Sequence, residues 1–326
     1  MTCIELFAGA GGMALGFEYA GIGSVLLVEN NKDAVATLRA NRPAWNVVEK
    51  DVRTVAFTQY ADIVSGGFPC QTFSYAGNGA GFGEVRGTMF FELARCVHVV
   101  RPKIVVGENV RGLLTHDGGK TLATILQYLR NLGYNVAYKL LRAIDFGVPQ
   151  KRERLIIIGV RSDLTIDPED CFPTPTYGAG TLRVALRGCP ESPGASYSKR
   201  KAEVLALVPP GGNWRDLPIE IQKSYMGKSY YSGGGKTGIA RRLSWDEPSP
   251  TLTCSPAQNL TEFCHPDETR PLTVREYARI QTFPDNWEFP GSVASQYKQI
   301  GNAFPVKLGF QLGQTLVKLL SEGRVK

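Results

Sequence analysis

The chain has 326 residues, 43% hydrophobic and 21% charged, with a formal net charge of +7. This is an ordinary globular composition, long enough for one large domain plus a smaller one; without a repeat, a heptad, a long apolar run or a charged-then-apolar leader, it points away from fibrous, membrane-spanning and secreted proteins. Seven scattered cysteines argue for reduced thiols in a cytoplasm, and Cys254 with Cys264-His265 lacks the close-spaced partners that zinc would need.

The amino-terminal half alternates short apolar runs with helical periodicity, which predicts a parallel sheet covered by helices. Strands are expected over 3–7, 24–28, 46–49, 61–65, 103–106, 136–141 and 155–160, with helices over 13–20, around 89–97 and over 121–132. The first turn, Phe7-Ala8-Gly9-Ala10-Gly11-Gly12, is glycine-rich and opens a helix, so backbone N–H groups there can meet a ligand. Glu29 closes the second strand, where an acid can bind ribose hydroxyls, and Asp51 follows the third. Glycine, carboxylate and carboxylate at three successive strand ends suit an adenosine-containing cofactor. The glycines lack the G-x-G-x-x-G spacing for a pyrophosphate, which favours a nucleoside without phosphates.

The fourth strand runs into Gly66-Gly67-Phe68-Pro69-Cys70-Gln71-Thr72-Phe73-Ser74. A strand ending there presents one thiol at the rim of the sheet, outside the carboxyl ends of the strands where α/β proteins bind ligands. Cys70 then reads as a nucleophile, against the competing reading of a small buried packing residue. Glu108, after the fifth strand, lies on the same rim, either as a proton-donating partner for Cys70 or as a loop carboxylate. Alternation in Gln150-Lys151-Arg152-Glu153-Arg154 points Arg152 and Arg154 to one face, where they either make surface ion pairs or hold an anion or a base.

Between residues 171 and 245, eleven lysines and arginines stand against four acids, so this segment carries the whole positive excess. A polyanion-binding surface competes there with a merely soluble basic face. The segment is rich in Pro, Gly, Ser and Tyr and reads as a loop-rich module with short strands and no long helix. Periodicity returns over 272–283 and 306–320, the latter expected as a helix packing back on the first domain.

Seven blocks stand in order: Leu6-Phe-Ala-Gly-Ala-Gly-Gly12, Gly67-Phe-Pro-Cys-Gln71, Arg86-Gly-Thr-Met-Phe-Phe91, Glu108-Asn-Val110, Gln150-Lys-Arg-Glu-Arg154, Arg270-Pro-Leu-Thr-Val-Arg-Glu276 and Gln299-Ile-Gly-Asn-Ala303. With them the chain resembles, over nearly its full length, the bacterial DNA (cytosine-5)-methyltransferases of restriction–modification systems. The resemblance implies a doubly wound, mostly parallel, Rossmann-like α/β domain binding S-adenosylmethionine, over 1–172 and again over 292–326. A smaller, loop-rich target-recognition domain with its hinge would occupy 173–291, and double-stranded DNA would lie between them. It implies cofactor contacts at Phe7, Gly9, Gly11, Gly12, Glu29, Asp51, Phe68, Asn302 and Ala303, a nucleophile in Cys70, an acid at ring N3 in Glu108, and Arg152 and Arg154 steadying base and loop.

Residues 71–88 match a mobile loop that closes over DNA, with Gln71 and Ser74 on its DNA side. Thr251-Leu252 matches the family's Thr-Leu pair, and Arg241 and Arg242 are expected on DNA, at guanine or at phosphate. The implied chemistry is addition of Cys70 to carbon 6 of a flipped-out cytosine and methylation of carbon 5, with no metal. A monomer without membrane contact, working beside a restriction endonuclease in the cytoplasm, is the family expectation. An RNA cytosine methyltransferase and a non-catalytic binding module are the alternatives; the long basic module favours duplex DNA, and intact Cys70 and Glu108 favour catalysis.

Overall fold

The computed structural model describes residues 1–69, 89–176, 178, 180–231, 237–258 and 261–322. A seven-stranded sheet forms from β1 (Thr2–Leu6), β2 (Gly23–Glu29), β3 (Val47–Glu49), β4 (Ile63–Gly67), β5 (Ile104–Val110), β6 (Tyr134–Arg142) and the later strand β8 (Glu153–Arg161), in the order β3-β2-β1-β4-β5-β8-β6. All neighbours pair in parallel except at β8, which runs antiparallel to both β5 and β6. All seven expected strands are present, and the sheet is mostly parallel as expected.

The strands alternate their side chains between two cores, as a pleat with period two requires. Ile4, Leu6, Val64, Val105, Leu155 and Ile157 face the helices α3 (Met89–Val100) and α4 (Lys120–Asn131). Cys3, Ile63, Ile104, Val106, Ile156 and Ile158 face α1 (Gly12–Tyr19) and the last helix, α10 (Val306–Glu322). Strand order reverses between β1 and β4, so the carboxyl ends of these two strands flank a switch point, the usual place for a ligand in an open α/β sheet.

Helix α10 lies against α1 at a distance set by glycines. A Cβ on Gly16 would come within 2.7 Å of backbone atoms of Val306, Gly309 and Phe310, and one on Gly12 would collide with the carbonyl of Phe304. Gly16→Val should therefore force the two helices apart and cost roughly 3 kcal/mol, the upper end for overpacking. Denaturant unfolding measures this, and an unchanged midpoint would show that the contact is not stabilising.

The segment after residue 172 departs from expectation. It holds α5 (Leu182–Ala185), α6 (Lys199–Ala206) and α7 (Ile219–Met226), whereas its described strands are two-residue pieces: β9 (Ser249–Pro250), β10 (Ala257–Gln258) and β11 (Thr261–Glu262). Short helices, not short strands, organise it: Leu205, Val208, Trp214, Leu217, Met226, Ala240 and Cys264 make a core of their own. Strand β9 pairs in parallel with β7 (Gln150–Lys151) and so ties this segment to the sheet side. Helices α8 (Val274–Ile280) and α9 (Val293–Asn302) follow; Tyr277, Ile280 and Trp287 share a core with Ala10 and Leu15 of the first turn and helix. Among the described residues, no helix is long and apolar enough to cross a membrane.

Candidate active site

At the switch point a cavity of about 860 Å³ opens, within the usual range for small-molecule sites. Its lining includes Phe7, Gly9 and Gly12 from the first turn, Glu29 from β2, Phe68 after β4, Glu108 from β5, Arg152 and Arg154 from the β7–β8 region, Thr251, and Asn302 and Ala303 at the end of α9. The sequence thus places these positions together although they are spread over nearly 300 residues. Cys70, Gln71 and Ser74 lie outside the described residues, as does the loop expected over 71–88.

The first turn is bent sharply: Phe7 has φ 59° and Gly9 has φ 54°, a left-handed conformation that costs a phenylalanine energy and a glycine none. The turn is fixed by Glu29, whose Oε2 accepts from the N–H of Gly9 at 2.8 Å while Oε1 accepts from the N–H groups of Asn30 and Asn31 at 2.9 and 2.8 Å. The carboxylate is thereby held at the cavity edge with lone pairs still available to hydroxyl donors.

Two of the positions expected around a cofactor are elsewhere. Asp51 is half-buried and held by Arg53, whose Nη2 stands 2.5 Å from its Oδ2, and that hydrogen-bonded partner holds its carboxyl down at about 2. Its side chain also caps the turn that follows, accepting from Arg53 N–H at 3.0 Å, and it does not line the cavity. Gly11 also stays outside the lining: a Cβ there would meet Leu38, Trp287 and Trp45, so the residue serves close packing behind the turn.

Glu108 is paired in register with Gly67 across β5 and β4. Its Oε1 lies 2.5 Å from Nε of Arg154, and its Oε2 occupies space that a Cβ on Gly67 would intrude on at 2.8 Å. The glycine leaves room for the acid, and the arginine fixes which oxygen is free. Burial pushes the carboxyl above its ordinary value and outweighs the attraction of Arg154, which favours a proton on the acid. Asn109, buried beside it, donates from Nδ2 to the carbonyl of Phe68 at 2.8 Å and so pins the chain two residues before Cys70. Sequence alone assigns Asn109 no role of its own, although it stands beside Glu108 as a second polar residue near the end of an apolar strand.

Arg152 shares the cavity face with Arg154, as alternation predicted, yet its bonds are to the protein. Nη1 donates to the carbonyl of Leu252 at 3.3 Å and Nη2 to that of Gly301 at 3.0 Å, so it braces the 251–252 segment against α9. Beside it, buried Gln150 accepts from the N–H of Leu252 at 2.9 Å and donates to Gln281 at 3.0 Å, and Gln281 donates on to the carbonyls of Ile300 and Ala303. Thr251 itself is exposed, its hydroxyl donating to the carbonyl of Lys151 at 2.9 Å. Among the described residues no cluster of His, Cys, Asp or Glu is placed to hold a metal.

The two arginines expected on DNA part company. Arg241 is half-buried and donates from Nε to the carbonyl of Thr237 at 2.9 Å. Arg242 is only 4% exposed, and its guanidinium is filled by the carbonyls of Val208, Leu205, His265 and Glu268 and the hydroxyl of Thr269, at 2.7 to 3.1 Å. With every direction of the fork occupied inside the module it has no N–H left for a base or a phosphate, and the expectation that it contacts DNA is overturned. Arg242→Ala should strand those carbonyls and cost roughly 3 kcal/mol or more, seen as a lower unfolding midpoint. A stably folded variant with relaxed sequence choice would restore the DNA-reading role.

A doubly wound sheet with an antiparallel strand inserted beside its edge, a glycine turn and an acid–arginine pair at its switch point define an α/β enzyme of the methyltransferase kind. The chain belongs to the C-5 cytosine-specific DNA methylase family, which it matches over residues 1–318. It is 59% identical to the type II methyltransferase M.Eco47II of Escherichia coli, over 98% of this chain and 80% of that protein. It is 51% identical to M.Sau96I of Staphylococcus aureus, over 98% of this chain and 76% of that one. Among solved structures it resembles in fold an Escherichia coli prophage protein described as a DNA modification methyltransferase, with a TM-score of 0.72 and 24% identity over 98% of this chain and 99% of that one. A Spodoptera frugiperda DNMT2 variant follows at a TM-score of 0.68 and 16% identity, over 97% and 99%.

Proposed function

We propose that this protein transfers a methyl group from S-adenosylmethionine to carbon 5 of a cytosine within a specific sequence of double-stranded DNA, as the protecting partner of a type II restriction endonuclease. The observation that carries the reading is the buried Glu108 carboxyl, held through one oxygen by Arg154 at the cavity into which the chain before Cys70 leads. The curated relatives, named as type II methyltransferases, support the pairing with an endonuclease. In this reading the protein works as a monomer in the cytoplasm.

The residues around the cavity suit S-adenosylmethionine. Glu29 would take ribose hydroxyls, Phe7 and Phe68 supply apolar walls, and Gly9, Gly12, Asn302 and Ala303 would close around the rest. When bound, the cofactor supplies an electrophilic methyl group. Carbon 5 of cytosine is a poor nucleophile, so the Cys70 thiolate first adds to carbon 6, which becomes tetrahedral and leaves carbon 5 as the nucleophilic carbon of an enamine. Glu108 donates a proton to ring N3 as the thiolate adds, with Arg154 keeping its second oxygen turned to the base. Departure of the carbon-5 proton, expulsion of Cys70 as thiolate and return of the N3 proton to Glu108 then restore the ring. A base inside a duplex cannot reach these groups, so the nucleotide is turned out of the stack.

In this reading residues 1–172 and 292–326 perform the reaction, and residues 173–291 choose the sequence. Bisulfite sequencing of DNA from cells expressing the protein tests it, since one protected cytosine in a fixed context is the expected result and uniform conversion would sink the reading. Oligonucleotides with cytosine fluorinated at carbon 5 should trap the protein covalently as duplex DNA and not as RNA.

A further inference from the structure

Two glutamines, Gln150 and Gln281, are fully buried, and neither is among the residues that line the cavity. They join through one hydrogen bond, from Nε2 of Gln150 to Oε1 of Gln281 at 3.0 Å. The chain of bonds they complete starts at a backbone donor and ends at backbone acceptors. At one end the N–H of Leu252 donates to Oε1 of Gln150 at 2.9 Å; at the other, Nε2 of Gln281 donates to the carbonyls of Ile300 and Ala303 at 2.8 and 3.1 Å. The two ends fix the orientation of both amides, since each must accept on the Leu252 side and donate on the α9 side. A carboxylate in either place has no N–H to pass on, and an apolar pair would strip the Leu252 N–H of this acceptor.

The two ends of this relay belong to two walls of the cavity. Thr251 and Thr253, on either side of Leu252, line it from the recognition segment, whereas Gly301, Asn302 and Ala303 line it from the end of α9. Between these walls the backbones touch, because a Cβ on Gly301 would collide with the carbonyl of Thr253. Arg152 bridges the same two segments at the cavity face, through the carbonyls of Leu252 and Gly301. Gln281 also accepts, with its own backbone carbonyl, the N–H of Val306 at 3.1 Å, so one residue sets where α9 stops and α10 begins. Apolar side chains alone would let such a contact slide; a run of directional bonds with fixed polarity admits one register.

Resting on the function proposed above, the geometry points to Gln150 and Gln281 as positioning residues for methyl transfer. They hold the segment beside the target base in register with the wall around the cofactor, so that carbon 5 and the methyl group meet. Neither side chain touches a substrate. The pair therefore matters for the step that needs both walls of the cavity, and not for the step that needs only the base side, where Cys70 adds to carbon 6.

Two reactions of the same full-length preparation separate these steps. With saturating S-adenosylmethionine, the single-turnover rate of methyl transfer to duplex DNA reads both walls. Without cofactor, release of tritium to water from cytosine tritiated at carbon 5 reads the base side alone: Cys70 adds to carbon 6, carbon 5 takes a proton from water, and the triton leaves as Cys70 is expelled. Gln281→Met keeps the length of the side chain and removes both amide functions. It should slow methyl transfer by on the order of 10 to 10², the cost of a displacement of about 1 Å at the reacting centre, and leave tritium release essentially unchanged. The ratio of the two rates does not depend on the fraction of protein folded, so a merely structural role would not move it. A loss of tritium release as large as that of methyl transfer, or no loss in either, overturns the proposal. Gln150→Met should lower the same ratio, and the double variant should fall no further than the worse single one, because the bonds form one chain; losses that multiply overturn the relay. Where Gln281→Met does not fold, Gln150→Met decides by the ratio. A wild type that methylates DNA yet releases no tritium without cofactor also overturns the proposal, since the base side would then not work by itself. A wild type that methylates no DNA overturns the function on which it rests.

Discussion

Cys70→Ala should abolish methyl transfer and leave sequence-specific binding to duplex DNA essentially unchanged. In the proposed mechanism the thiol makes its bond only with carbon 6 of the target base, and without that addition carbon 5 does not become nucleophilic. No other group can take over the role: Cys254 is the exposed cysteine at the cavity, its Sγ lies 3.2 Å from Oδ1 of Asn302, and burial pushes its thiol up, away from the reactive thiolate. Transfer of tritiated methyl groups from the labelled cofactor to DNA and a gel-shift titration on the same DNA separate the two effects. Turnover near that of the wild type would remove Cys70 from the mechanism.

Glu108→Gln keeps the shape of the acid and the contact with Arg154 through its carbonyl oxygen, but it cannot donate a proton as an acid. A loss on the order of 10² to 10⁴ in the single-turnover rate is expected, the usual worth of general acid catalysis. The sign of the pH effect follows from the raised carboxyl: the competent form is protonated, so the wild-type rate should fall as pH rises through the Glu108 titration, and that limb should be missing from the variant. A variant that loses cofactor affinity at unchanged rate would place Glu108 in another role.

Sequence and structure agree most closely where chemistry sits at the end of an apolar run. Glu29 and Glu108 were legible because a charged residue closing a buried strand has few places to point, and both line the cavity. The seven strands were legible from the same runs, but the reversal of β8 was not, since hydrophobic periodicity carries no direction. Arg242 was misread because its acceptors come from residues 205, 208, 265, 268 and 269, a shell that no local pattern reveals. Asp51 lies outside the cavity lining, and its ion pair with Arg53, two residues on, is a contact that strand-end position alone does not announce. Helix α6 lay hidden among prolines and glycines although Lys199 to Ala206 is made largely of good helix formers.

The glycine contact between α1 and α10 has a consequence for how the protein is made in the cell. The first turn leaves the ribosome well ahead of the wall of the cavity formed by Asn302, Ala303 and Phe304, which is seated by a helix synthesised some 300 residues later. Until that helix has emerged and docked on Gly12 and Gly16, the nascent chain has a sheet but only part of a cavity. Translation therefore withholds the full cavity until that helix has been made. Ribosome-bound chains arrested with residue 291 at the tunnel exit should fail to retain labelled S-adenosylmethionine. Chains carried past residue 322 on a linker should retain it, and equal retention by both would show that the early strands hold the cofactor unaided.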